Sequence, residues 1–127
     1  MSGDAAARNR RNRGAGKRWE KEILDGGRGA GIDTERTRDT GTKDEGDLVL
    51  RIGGRYHVIE AKNAKLEPGP FLAEAKVEAE HFAEHRRLPD DAVHPVVFVK
   101  RRGKGFAEGL ALMTVEDYLT LAKAAGS

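Results

Sequence analysis

The sequence GDLVLRIGGRYHVIEAK, residues 46–62, predicts a β-hairpin. Aliphatic and β-branched residues predominate on both sides of Gly53-Gly54, a glycine pair that tolerates the positive φ angles of a tight turn. If the loop is the two glycines alone, Val49 faces Val58 across the hairpin. Counting outward in the same register places Asp47 opposite Glu60.

The predicted register places two carboxylates and an ammonium on one face of the hairpin. Side chains alternate along a strand, so Lys62 shares the face of Glu60 while Ala61 points away. Opposed like charges with Cβ atoms about 4.5–5.5 Å apart destabilise a sheet unless a cation neutralises them. Magnesium prefers such oxygen ligands, and a metal beside a lysine is suited to phosphodiester hydrolysis. The alternative is a turn aspartate followed by ordinary surface charge.

These residues resemble the motif of the PD-(D/E)XK nuclease superfamily. Gly46-Asp47 corresponds to its first half, with glycine in place of the usual proline, and Glu60-Ala61-Lys62 corresponds to the second half. The segment GKRWEKEIL, residues 16–24, resembles the opening helix of archaeal-type Holliday junction resolvases.

The resemblance implies a set of catalytic residues, Glu20, Asp47, Glu60 and Lys62. Asp47, Glu60 and the backbone carbonyl of Ala61 are expected to hold one or two Mg²⁺ ions, for which Mn²⁺ should substitute because it prefers the same ligands. Glu20 is expected to contribute directly or through water, with Glu22 as the rival candidate. Lys62 is expected to position the hydroxide or to stabilise the pentacovalent phosphate.

Length and composition predict one domain with a single core. The chain has 127 residues and no cysteine, so no disulfide can stabilise it. No segment approaches the roughly 20 apolar residues of a membrane span, and the first residues contain no apolar core of a signal peptide. We therefore expect a soluble, cytoplasmic protein without a membrane partner.

Basic residues are concentrated near the beginning of the chain. The totals are 23 basic and 21 acidic residues, yet the stretch from Arg8 to Arg18 contains no acid. We predict a flexible basic arm over residues 1–14, followed by a nuclease domain over residues 15–127. The alternative for the arm is a solubility tail. The predicted DNA contacts are Arg8, Arg10, Arg11, Arg13, Lys17, Arg18, Arg36, Arg38 and Thr40.

The remaining patterns complete an α/β fold. A helix over residues 15–24 should bury Trp19, Ile23 and Leu24 and end at Gly26-Gly27, and an exposed edge strand is expected near residues 34–38. A helix from the prolines at 68 and 70 to about residue 88 should keep Glu74, Glu78 and Glu84 opposite its buried stripe. A buried strand over 94–99, parallel to a hairpin strand, a strand over 110–113 and a helix over 115–125 follow. The predicted fold is a restriction-endonuclease-like mixed sheet flanked by helices.

The combined prediction is a metal-dependent DNA endonuclease, specifically a structure-selective Holliday junction resolvase. A four-way junction has two strands to cut, so a homodimer is expected, with Leu112, Tyr118 and Leu119 available for its interface. One alternative is a restriction- or repair-type nuclease acting on duplex or flap DNA. Another is a non-catalytic nucleic-acid-binding module, in which the carboxylates would be dispensable.

Overall fold

The protein forms a mixed five-stranded sheet with helices on both faces. The structure is a computed structural model that describes residues 2–39 and 45–126, and the side chains of residues 14–38 and 45–126. Its main elements are α1 (Ser2–Gly29), β1 (Asp33–Arg36), β2 (Leu48–Ile52), β3 (Arg55–Lys62), α2 (Pro68–His85), β4 (Val93–Val99), β5 (Leu110–Leu112) and α3 (Val115–Ala125). The strand order is β1-β2-β3-β4-β5, with β3 and β4 parallel and the other neighbours antiparallel. The predicted fold class is confirmed.

The hairpin of β2 and β3 has the predicted register. Val49 pairs with Val58, and Ile52 pairs with Arg55 beside the turn. Gly53 and Gly54 have φ angles of +57° and +78°, the left-handed values that a two-residue turn between twisted strands requires. The glycine pair therefore sets which residues face one another along the whole hairpin.

The two faces of the sheet are covered by different helices. On one face, Trp19 and Ile23 of α1 pack with Leu48 and Ile59. The indole N–H of Trp19 donates to the Phe98 carbonyl at 2.9 Å, so this large buried side chain has no unsatisfied donor. The predicted buried stripe of α1 is thus confirmed.

The opposite face is covered by α2. Phe82 and Ala79 of α2 pack with Val49 and Val58 in a second cluster. Glu60 alternates with Val58 along β3 and therefore lies on this face, between the sheet and α2. The same alternation places Lys62 there, and its Nζ is 5.2 Å from the centre of the Phe71 ring.

Helix α1 begins much earlier than the sequence pattern indicates. Its backbone is helical from Ser2, so the helix start predicted at residue 15 falls inside a continuous helix. The division into an arm over residues 1–14 and a nuclease domain over residues 15–127 stays a prediction. Alanine and arginine are good helix formers, and extending an existing helix avoids the cost of nucleation. The mobility of the arm stays a prediction. Neither α1 nor any other helix in the described ranges combines the length and apolarity that crossing a membrane requires.

The glycines predicted to end α1 instead allow close packing. The helix continues through Gly26 and Gly27 to Gly29. A Cβ atom on Gly26 would lie 2.3 Å from the Phe106 ring, and one on Gly27 would lie 2.3 Å from Thr34 Oγ1. Thr34, predicted in an exposed strand, is accordingly buried beneath the helix at the β1 edge of the sheet.

The other elements differ only slightly from expectation. Helix α2 ends at His85 rather than near residue 88, and Arg87 has a positive φ of 53° just beyond it. Helix α3 has the predicted bounds, and the Thr114 hydroxyl caps it by accepting the Asp117 N–H at 3.0 Å. The parallel pairing of β4 with β3 is also confirmed.

The close packing at Gly27 predicts opposite effects for two glycine substitutions in α1. Gly27→Ala should lower the free energy of unfolding by about 1–3 kcal/mol, because the new methyl group overpacks against Thr34. Gly16→Ala should raise it by up to about 1 kcal/mol, because no atom beyond the adjacent helix backbone lies within 4 Å of the added Cβ and alanine favours helix. Urea unfolding of both variants measures the two effects. Equal effects would contradict the packing role of Gly27.

Candidate active site

Asp47 is held against β3 by both its backbone and its side chain. Its N–H donates to the Ile59 carbonyl at 2.9 Å, and its Oδ2 accepts the Ala61 N–H at 2.8 Å. These contacts hold Asp47 beside residues 59–61 of β3, whereas the paired register of the hairpin ends at Leu48 and Ile59. The cross-strand pair of Asp47 with Glu60 stays a prediction. The Ala61 carbonyl leaves β3 on the same side as the Ala61 N–H, and therefore points toward Asp47.

The residue before Asp47 explains a departure from the motif. Gly46 has a φ of +85°, whereas the proline ring fixes φ near −65°. A Cβ at position 46 would also lie 2.7 Å from Val58 Cγ1. Glycine is therefore required here, and the usual proline of the motif would not fit this backbone.

Glu60 has a buried carboxylate whose oxygens are only partly satisfied by hydrogen bonds and ion pairs. Only 7% of its side chain is exposed, and within the described residues its Oε2 has no hydrogen-bond partner. The Lys62 Nζ lies 4.0 Å from the other oxygen, Oε1. A buried anion with an orphaned oxygen is costly unless a cation binds it, so the donor set here fits a divalent metal.

Two glutamates of α2 join this site, although the sequence pattern placed them opposite the buried stripe. Oxygens of Glu60, Glu74 and Glu78 lie within 4.8 Å of one another. Glu74 also forms an ion pair of 2.7 Å with Lys62. The sequence signal for this arrangement was the spacing of four residues between two glutamates on the helix that follows β3.

Glu20 and Glu22 point to different partners. The Glu22 carboxylate pairs with Lys100 Nζ at 3.0 Å, away from the hairpin carboxylates. Burial raises the pKa of Glu20, and the negative charge of Asp47 raises that pKa further. The structure thus brings Glu20, rather than Glu22, into the electrostatic neighbourhood of Asp47.

Burial also raises the pKa of Asp47. The Ala61 N–H and the Lys62 ammonium act against this increase, while the charge of Glu74 adds to it. The folded state therefore disfavours the charged form of Asp47, and a bound cation would reverse that preference. The raised pKa values of Asp47 and Glu20 therefore arise first from burial, with a further contribution from a neighbouring carboxylate in each case.

Basic residues surround the cluster on the side of α1. Positive charges of Arg38, Arg36 and Lys17 lower the pKa of Glu20, so all three act within electrostatic range of it. The Arg36 Nε is buried and has no hydrogen-bond partner in the part of the chain that the structure describes. Lys17, Arg18 and Arg38 are exposed. The predicted contacts outside the described side chains are Arg8, Arg10, Arg11, Arg13 and Thr40.

A buried ion pair that the sequence pattern did not reveal anchors the approach to Asp47. Glu45 is only 1% exposed. Its Oε2 accepts a hydrogen bond from Arg86 and lies 2.9 Å from His85 Nδ1. Both partners lie at the end of α2, so this contact ties the segment before Asp47 to that helix. Only the fold shows this, because about forty residues separate the partners in sequence.

No model of a protein family matches the chain. No curated protein matches it either. Among solved structures, the chain is similar to the Holliday junction resolvase of the archaeal hyperthermophile Archaeoglobus fulgidus, determined at 1.6 Å resolution. The TM-score is 0.49 and the sequence identity is 19%, over 80% of this chain and 96% of that chain.

The raised pKa of Asp47 predicts that Asp47→Asn stabilises the metal-free protein at pH 7. At this pH the folded state bears an unfavourable buried charge, and asparagine removes the charge while keeping an acceptor for Ala61. Stability should rise as pH falls through the raised pKa towards the usual 3.8, so the advantage of Asp47→Asn should shrink there. Thermal unfolding in EDTA between pH 7 and pH 4 measures the difference.

Asp25→Asn is the control for this experiment. The Asp25 side chain is 60% exposed, and its pKa is lowered by a hydrogen bond from Lys21. Its removal should bring no gain in stability at pH 7.

In millimolar Mg²⁺ the order of stability of wild type and Asp47→Asn should reverse, with wild type more stable, because ligand binding stabilises the folded state. If Mg²⁺ stabilises Asp47→Asn as much as it stabilises wild type, Asp47 is not a ligand of the metal.

Proposed function

We propose that the protein is a metal-dependent DNA endonuclease that hydrolyses phosphodiester bonds. The observation that carries this proposal is the buried Glu60, whose Oε2 lacks a hydrogen-bond partner within the described residues. The Lys62 ammonium lies 4.0 Å from its other oxygen, and the next residue, Ala61, donates its N–H to Asp47. Carboxylates with too little counter-charge, next to a lysine, provide both a cation site and a positive charge for a phosphate.

The roles of the residues follow from their positions. Asp47, Glu60 and the Ala61 carbonyl would hold Mg²⁺, or Mn²⁺ in its place, with Glu20 contributing directly or through water. The bound metal supplies phosphoryl polarisation and a more acidic water. Lys62 orients the hydroxide or stabilises the negative charge that builds up on the phosphorus oxygens. The Lys62 ammonium is 2.7 Å from the Glu74 carboxylate, and it would have to leave that ion pair to contact the phosphate.

The basic residues around the cluster are suited to hold the DNA backbone. Lys17 and Arg38 are exposed, and the positive charge of each lowers the pKa of Glu20. Phosphates bound to these two residues would therefore lie beside the carboxylates. The arm would add further phosphate contacts through its arginines. Such contacts position a duplex without reading its sequence.

We further propose that the substrate is a four-way DNA junction cut by a homodimer. This choice draws on the resemblance of residues 16–24 and of the Asp47, Glu60 and Lys62 motif to junction resolvases. Helix α3 offers a dimer surface: Tyr118 and Leu119 are 58% and 56% exposed, and no described residue of α3 is buried. An apolar helix face of this kind is a candidate for burial against a second copy.

Cleavage should depend on the carboxylates and on Lys62. Asp47→Asn and Glu60→Gln should abolish cleavage of labelled DNA in Mg²⁺, because each removes a metal ligand while leaving the basic residues intact. Lys62→Met should reduce the rate by about 10²–10³-fold. The matched control is Glu84→Gln on the exposed side of α2, which should cut normally. Near wild-type cleavage by either carboxylate variant would favour the non-catalytic binding module.

The arm should contribute to affinity rather than to chemistry. Deleting residues 1–13 should weaken binding to every DNA, because arginines that neutralise phosphates are removed. The slope of log affinity against log salt should become shallower by up to roughly 0.9 for each phosphate that the arm no longer neutralises. Fluorescence anisotropy in Ca²⁺ measures binding without turnover. An unchanged slope would show that the arm is a solubility tail.

Substrate choice and assembly are tested together. On a four-way junction we expect two nicks placed symmetrically about the centre, and a solution mass near twice the chain mass of 13.9 kDa. Tyr118→Lys should reduce that mass toward the monomer, whereas Lys123→Glu near the end of α3 should not. A monomer that cuts linear duplex or flaps as well as junctions would favour the restriction- or repair-type nuclease.

A further inference from the structure

Glu60 is shared between two groups of carboxylates. On the hairpin side, the next residue of β3, Ala61, donates its N–H to the Asp47 carboxylate. On the helix side its oxygen lies within 4.8 Å of those of Glu74 and Glu78. We propose that Glu60, Glu74 and Glu78 form a second divalent-cation position, bridged by Glu60 to the position beside Asp47. This inference rests on the proposed function, because it assumes the first position.

The burial of Glu60 separates this group from an ordinary acidic surface. Its side chain is more than nine-tenths buried, and its Oε2 finds no partner within the described residues. Acidic groups on a surface are solvated, whereas this oxygen is shielded from water and receives no hydrogen bond from any described donor. A cation held between Glu60 and the two α2 glutamates would supply the missing contact.

The dimensions of the group suit a divalent ion. Oxygens on opposite sides of an ion are separated by about twice the metal–oxygen distance, which is roughly 4.0–4.2 Å for Mg²⁺ and 4.6–5.2 Å for Ca²⁺. The three carboxylate oxygens all lie within 4.8 Å of one another, an upper bound that Ca²⁺ spans directly and that a small closing movement would bring to the value for Mg²⁺. Glu74 is 46% exposed on α2, so its side chain has room to adjust to the smaller ion.

Lys62 and the second cation would compete for Glu74. In the structure the Lys62 ammonium is 2.7 Å from Glu74 and 4.0 Å from Glu60, so its one positive charge is shared between two carboxylates. A divalent ion between the glutamates would displace the ammonium from Glu74. The released Lys62 could then turn to the phosphate, so occupancy of the second position would free the lysine for the chemistry proposed above.

Mn²⁺ binding to the full-length protein without DNA tests this proposal, with calorimetry for stoichiometry and electron paramagnetic resonance for free Mn²⁺. Wild type should bind two ions per chain, and Glu78→Gln and Glu74→Gln should each bind one. The matched control is Glu80→Gln, an exposed glutamate of the same helix, which should retain both. Lys62→Met should tighten the weaker ion by about tenfold, because the competing charge is gone.

The outcomes separate this inference from the proposed function. Suppose that wild type binds one ion, and that Asp47→Asn loses this binding while Glu78→Gln keeps it. The second position is then wrong, while the nuclease proposal stands. If Lys62→Met leaves the weaker affinity unchanged, the competition between Lys62 and the cation is wrong. If wild type binds no Mn²⁺ at all, both proposals fail.

Discussion

The left-handed turn at Gly53 and Gly54 fixes the register of the hairpin, and the acidic site depends on that register. Strand side chains alternate between faces, so a slip of one residue in β3 would move Glu60 and Lys62 from the α2 face to the α1 face. Ile59 would then leave the core that it forms with Trp19 and Leu48. The apolar pattern and the site therefore require the same pairing, and each stabilises the arrangement that the other needs.

The helices complete the site from two directions. Helix α1 can lie close to Thr34 of β1 because Gly27 has no side chain at that contact. The same helix carries Glu20, whose pKa is raised by burial and by the charge of Asp47. Helix α2 packs on the other face and brings Glu74 to Lys62. At its far end, α2 also holds Glu45 through His85 and Arg86. The segment that carries Asp47 is thus fixed by contacts on both sides.

The electrostatics of the cluster oppose stability. Burial raises the pKa values of Asp47 and Glu20, and neighbouring carboxylates raise them further. A protein selected for stability alone would place apolar residues at such positions, because an uncompensated buried charge is costly. The concentration of acids around Glu60 is therefore better explained by a ligand that carries positive charge than by folding, and this is why the site is interpreted as functional.

The sequence by itself determined the features that depend on local order: the hairpin and its register, the buried stripe of α1, the cap of α3, and the alternation that places Glu60 and Lys62 on one face. Short-range sterics and side-chain periodicity specify these features, so they can be predicted from neighbouring residues. Tertiary structure alone decided that Glu22 pairs with Lys100, that Glu45 is buried, and that Gly27 packs against Thr34 instead of ending a helix. It also decided that Glu74 and Glu78 face Glu60, because helical periodicity divides a helix into faces but does not specify what each face will meet. That contact depends on the crossover from β3 through α2 to β4, which packs the helix on the sheet. The distance between two residues in such a crossover cannot be predicted from their separation in sequence.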